Sequence, residues 1–96
     1  MKYVFHPLAL QEYSETVEYY AQQGIKLAQD FINQVENAIF RLSESPYSYA
    51  IVDKNIRRCL TRKCPYAILY TIEDNDILIL AVMHSHRNPQ SWRDRI

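Results

Sequence analysis

The sequence predicts an α+β domain with the order β-α-α-β-β-β, a helical hairpin packed on a small, mostly antiparallel sheet. Three observations carry this reading. Two long segments with apolar residues at helical spacing meet at Gly24, the only glycine of the chain. Three strand-like segments fill the second half, the last apolar at nearly every position. At 96 residues the chain is one domain, long enough to enclose a single small core.

Residues 2–6 read as a short strand, because Tyr3, Val4 and Phe5 favour extended backbone. Pro7 suits the first turn of a helix, where its missing N–H is no loss. Leu10, Tyr13, Val17 and Tyr20 then fall on one helical face, with Gln11, Glu15, Glu18 and Gln22 turned to solvent. Gly24 stands where this helix should stop, since glycine adopts the left-handed conformation that ends helices. In the second helix, Ala28, Phe31, Ile32, Val35, Ala38, Ile39 and Leu42 form a wide apolar stripe, opposite Asp30, Asn33, Gln34 and Asn37. Ser43-Glu44-Ser45-Pro46 stops it. So short a link makes the two helices an antiparallel hairpin.

Residues 46–55 read as a loop. Strands are expected at Ile56 to Thr61, Tyr66 to Glu73 and Ile77 to His84. Asp74-Asn75-Asp76 is a tight turn that pairs the last two as a hairpin. The unbroken apolar run of the final strand belongs in the sheet interior, covered on both faces. Pro89 ends that strand, and 90–96 read as a short helical turn or a tail.

Composition excludes several classes. With 48% hydrophobic residues the chain is not disordered. No apolar run reaches the roughly 20 residues that cross a bilayer. The first seven residues lack the apolar region of a secretory signal, so a soluble cytoplasmic protein without membrane contact is expected. Cys59 and Cys64 lie five apart, outside any CxxC pair, and read as structural thiols. One glycine cannot build a phosphate-cradling loop. His84 and His86 share a strand face, as metal ligands do, but no third and fourth ligand stands near and His6 is the only other histidine. No metal or cofactor is expected.

Charge is balanced overall but not along the chain. Residues 1–53 carry three cations and seven anions, and residues 54–96 carry eight and four, so the halves have net charges of −4 and +4. The basic half is the candidate interaction face. It includes the segment His84-Ser85-His86-Arg87-Asn88-Pro89-Gln90-Ser91-Trp92-Arg93, where the last strand delivers cationic and aromatic groups.

Taken together, Tyr19-Tyr20, Gly24, Leu27-Ala28, Phe31, Val35 to Ile39, Leu42, Pro46, Ile56-Arg57-Arg58, Leu60-Thr61, Pro65 to Ile68, Tyr70, Ile79 to Val82, His84, His86 to Pro89 and Trp92 resemble the RelE/ParE superfamily of type II toxins, most closely its ParE-like, plasmid-stabilisation branch. The resemblance covers almost the whole chain. It implies a bacterial toxin encoded beside an antitoxin whose C-terminal segment wraps over the toxin and neutralises it. ParE-type members poison DNA gyrase; RelE-type members cut messenger RNA on the ribosome. The oligomeric state, a homodimer or a heterotetramer with antitoxin, stays open.

RNA cleavage of the RelE type needs proton transfers and cations at one phosphate. His84 and His86 are candidates for the proton shuttle. Arg58, Arg62 and Arg87 are candidates for holding phosphate, and Trp92 and Tyr70 for stacking on a base. Nuclease members often carry arginine directly after the tyrosine at the Tyr66 position; this chain has Ala67, which suits the ParE-like pattern and a protein target. Arg57, Arg62, Lys63, Tyr70, Trp92, Arg93 and Tyr19 are the candidates for contact with the target or antitoxin. Structural readings stand beside these. His84 can be a hydrogen-bonded structural histidine and Trp92 a cover for the core edge. Arg57 and Arg58 alternate faces, so at most one points to a given site.

Overall fold

The computed structural model describes residues 1–85, 92 and 95. Its elements are β1 (Tyr3–Phe5), α1 (Pro7–Gln23), α2 (Ile25–Glu44), β2 (Ile51–Asp53), β3 (Ile56–Leu60), β4 (Tyr66–Glu73) and β5 (Asp76–His84). They form one five-stranded sheet in the order β1-β5-β4-β3-β2, antiparallel except for the parallel pair β1–β5. The helical hairpin covers one face, as expected for an α+β fold.

α1 starts at Pro7, and the His6 side chain caps it by accepting the Leu8 amide at 3.1 Å. The face turned to the sheet is Ala9, Tyr13, Val17 and Tyr20. Leu10, expected on that face, is 49% exposed. Ala9 replaces it because a step of four keeps closer to the helical repeat than the step of three from Leu10 to Tyr13. α2 buries Ala28, Phe31, Val35, Ala38, Ile39 and Leu42, nearly the whole predicted stripe. Gly24 separates the helices but is not left-handed. Its φ of 163° and ψ of 136° are extended backbone, so a break rather than a left-handed cap ends α1.

The segment 46–55 is not all loop. Ile51–Asp53 form a short edge strand, β2, whose residues are largely exposed and give no apolar alternation. Two loop-pinning residues sit directly opposite each other on β3 and β4, Arg57 and Tyr70. The Tyr70 hydroxyl donates to the Pro46 carbonyl at 2.7 Å, and Arg57 donates to the carbonyls of Tyr47 and Tyr49 at 3.0 and 2.7 Å. The β4–β5 hairpin turns through Asp74 and Asn75, with φ of 51° and 66°. Aspartate and asparagine tolerate this left-handed pair, which matches the strand twist.

β5 is interior, between β1 and β4, as its apolar run predicts. Its ladder with β4 shifts register: Tyr70 faces Ile79 while Leu69 faces Ala81, leaving Leu80 as the extra residue. This bulge reverses the alternation. Ile77 and Ile79 join the helix-side core before it, and Val82 joins after it, so His84 falls on the helix side too. Leu80 and Ala81 point into a second cluster on the outer face, with Ile56, Leu69 and Trp92.

Candidate functional site

At the open end of β5 a cleft of about 590 Å³ lies between α1 and the sheet. α1 contributes Glu12, Glu15, Thr16 and Tyr19, β4 contributes Tyr66, and β5 contributes His84. The two tyrosines, Tyr19 and Tyr66, reach it by different routes. Tyr19 lies off the buried stripe of α1 and stays exposed. Tyr20 and Tyr66 both pack on Phe31, with ring centroids 5.2 and 4.8 Å away, and their hydroxyls meet at 3.2 Å. The His84 ring meets the Tyr66 ring edge-on at 5.5 Å. His84 and Tyr66 are direct cross-strand partners, which fixes this contact.

One wall is an ion pair across the chain. Arg95 grips Glu12 with both ends of its guanidinium, at 2.7 and 2.6 Å, and donates to the Leu80 carbonyl at 2.8 Å. Leu80 is the bulge residue, so its carbonyl is free of the ladder and available. The bidentate bond to Glu12, ahead of any burial effect, holds Arg95 above its ordinary range. The cation is therefore spent on Glu12. Glu15 is held at the rim by Gln11, whose amide donates to it at 3.0 Å. Beside the Arg95–Glu12 pair and the apolar Ala81, Val82 and Met83, the described lining is phenols, a hydroxyl, an imidazole and the Glu15 carboxylate.

Of the sequence candidates among the described residues, the structure brings His84 and Tyr19 together here. Arg58 pairs with Leu69, which pairs with Ala81, and both lie in the outer cluster. Arg58 is exposed on that outer face, on the opposite side of the sheet from His84, so this candidate phosphate-holding cation and the candidate proton shuttle do not share a site. Arg62 and Lys63 are exposed in the β3–β4 turn, where the Lys63 amide donates to Gln34 of α2 at 2.9 Å. Arg57 is committed to the 46–49 loop and to the Tyr47 ring, 5.6 Å below its guanidinium carbon. Tyr70 is fully buried, which corrects its assignment as a stacking or contact residue. Trp92 is 2% exposed under the outer face, its alternative reading as a core cover. His86, Arg87 and Arg93 lie outside the described residues. Tyr66, Glu12, Thr16 and Arg95 were not sequence candidates. Nothing local announces the Arg95–Glu12 pair, whose members are 83 residues apart.

A two-layer α+β domain, with a helix hairpin on one sheet face and its last long strand leading into the site, is the architecture of the small toxins that the sequence resembles. The comparison settles which: the chain belongs to the family of ParE toxins of type II toxin–antitoxin systems, parDE, whose family model matches residues 3–89. It is a type II toxin, and its family implies a cognate antitoxin as partner. No curated protein matches the chain. No helix among the described residues is long and apolar enough to cross a membrane.

Proposed function

We propose that this toxin acts on DNA gyrase, a protein target, and that its antitoxin silences it by covering its surface. The observation that carries the reading is the separation of Arg58 from His84 by the thickness of the sheet. Cleavage through a 2′-hydroxyl requires a proton carrier and a cation at the same phosphate, and one lost stabilising group costs roughly 2.7–4 kcal/mol. Around His84, the described groups are instead phenols and the Glu15 carboxylate, while Arg95 and Glu12 neutralise each other. An uncompensated carboxylate repels a phosphate backbone and suits a polypeptide with polar or basic side chains. Ala67, where nuclease members carry arginine, is buried on the outer face with its partner Met83.

For the antitoxin, the outer face of β3 supplies Arg58 beside exposed Leu60, with Arg62 and Lys63 in the adjoining turn. An acidic segment with apolar side chains complements that surface: apolar burial supplies affinity and the cations set register.

The test runs a supercoiling assay beside in vitro translation with the purified chain. Blocked supercoiling with intact translation is the expected result. Translation arrest with messenger cut at codon boundaries, and supercoiling untouched, would instead establish the ribosome-dependent mRNA endonuclease reading. Binding to antitoxin with neither inhibition would mark an inactivated toxin. His84→Ala with Arg87→Ala is expected to relieve growth arrest in cells while circular dichroism stays native; full toxicity of that double variant moves the site elsewhere.

A further inference from the structure

The sheet has two edges, and they are not alike. β2 shifts register against β3 between Ile51 and Asp53, which leaves its outer side irregular. β1 runs in regular parallel register with β5, and among the described residues no strand pairs with its other side. The ladder uses the Lys2 carbonyl, bonded to Ile77 N–H at 2.8 Å, and the His6 amide, bonded to Ile79 C=O at 2.8 Å. Parallel pairing then turns the groups of Val4 toward β5 and the N–H and C=O of both Tyr3 and Phe5 outward. Among the described residues nothing receives them.

These outward groups are symmetric about Val4. If a second β1 lies antiparallel with the two-fold axis at Val4, Tyr3 exchanges both backbone hydrogen bonds with Phe5 of the other copy, and Phe5 with Tyr3. All the open groups are satisfied and none is left over. Val4 faces Val4 in the closely spaced, non-hydrogen-bonded position. Exposed apolar side chains line the same place: Val4 is 56% exposed, Tyr3 47% and Phe40 62%. Tyr3, Val4 and Phe40 border a groove of about 610 Å³ between β1 and α2.

The backbone pattern selects the direction, and charge accords with it. α2 runs against β1, with Ser43 beside Met1 and Glu36 toward the other end, close enough to Tyr13 to raise its hydroxyl. Lys2 and Asp76 border the groove at the first end and Glu36 at the second. Antiparallel pairing sets Lys2 of each copy toward the Glu36 end of the other. We infer that β1 is the contact of a two-fold homodimer, in which the sheets of two copies join through Val4 into one ten-stranded sheet. The inference is independent of the cellular target.

The experiment is sedimentation equilibrium of the full chain and its Val4 variants across the micromolar range. Wild type should have twice the chain mass. Val4→Lys and Val4→Glu should each fall to one chain, because like charges then meet across the axis. Mixing the two in equal amounts should restore the doubled mass, since opposite charges now face each other. Amide exchange at Tyr3 and Phe5 should slow as wild-type concentration rises. Val4 is exposed, so both variants should keep the wild-type dichroism spectrum. A single-chain wild type overturns the inference, as does a dimer that survives both variants, or folded variants that stay apart when mixed. A single-chain wild type whose Val4→Lys variant no longer binds antitoxin would give this edge to an antitoxin strand instead.

Discussion

Tyr70 and Arg57 show how one pair of side chains can be mistaken for a recognition surface. Both are sequence candidates for contact with the target or antitoxin, but they are cross-strand partners that hold the 46–49 loop. Burial, partly opposed by the Arg57 cation, pushes the Tyr70 hydroxyl from its ordinary value near 10 up to about 12. Tyr13 is raised to about 12 as well, first by burial and then by Glu36 and Tyr3. Between those two pH values the unfolded chain has released protons that the folded chain still holds. Stability is therefore complete below about pH 10 and declines as pH rises toward about 12. Tyr70→Phe is expected to cost about 1 kcal/mol at neutral pH through the lost bond to Pro46. It should also flatten the alkaline decline, read by denaturant unfolding from pH 9 to 12 beside phenolate absorbance. An unchanged alkaline slope would rule out Tyr70 as one of the groups responsible.

At the scale of elements, the helix break and the strand bulge do different work. Gly24 has extended rather than left-handed backbone, so nothing in its φ demands glycine. A Cβ there would meet Leu27 Cδ1 at 3.8 Å, an ordinary contact. Gly24→Ala is thus expected to stabilise the domain by about 0.4–1 kcal/mol, because it restricts the unfolded chain more than the folded one. Thermal melting checks it: a lowered midpoint would mean that the junction needs glycine's freedom after all. The bulge at Leu80 has a larger consequence. It turns Val82 and His84 to the helix side and frees the carbonyl that Arg95 takes.

Over the whole molecule, the sheet is covered on both faces by unequal layers. The helix hairpin seals one; on the other, Trp92 closes a small cluster of Ile56, Leu69, Leu80 and Ala81. Arg95 ties the same end of the chain to α1. In a domain this small, that second cover is a large share of the total stability. Trp92→Ala is expected to cost about 3–5 kcal/mol, enough to leave much of the population unfolded at physiological temperature. Since Trp92 is the only tryptophan, its emission in the wild type should be blue-shifted and move red in one step with loss of dichroism on heating. Red emission from the native protein would show that this face is open.

The order of every element but β2, the helix stripe of α2, the β4–β5 hairpin, the interior place of β5 and the toxin family were all legible in the sequence. Each of these is written in local periodicity, in turn residues or in a pattern running the length of the chain. β2 was hidden because three largely exposed residues give no alternation. Which side chains share a site is set by the folded chain alone. A one-residue bulge flips every later side chain to the other face without leaving a mark in the composition. That flip places His84 beside Tyr66, in the cleft that Glu15 also lines, and leaves Arg58 behind the sheet. Contacts such as Arg95 with Glu12 join residues that nothing but the folded chain brings together.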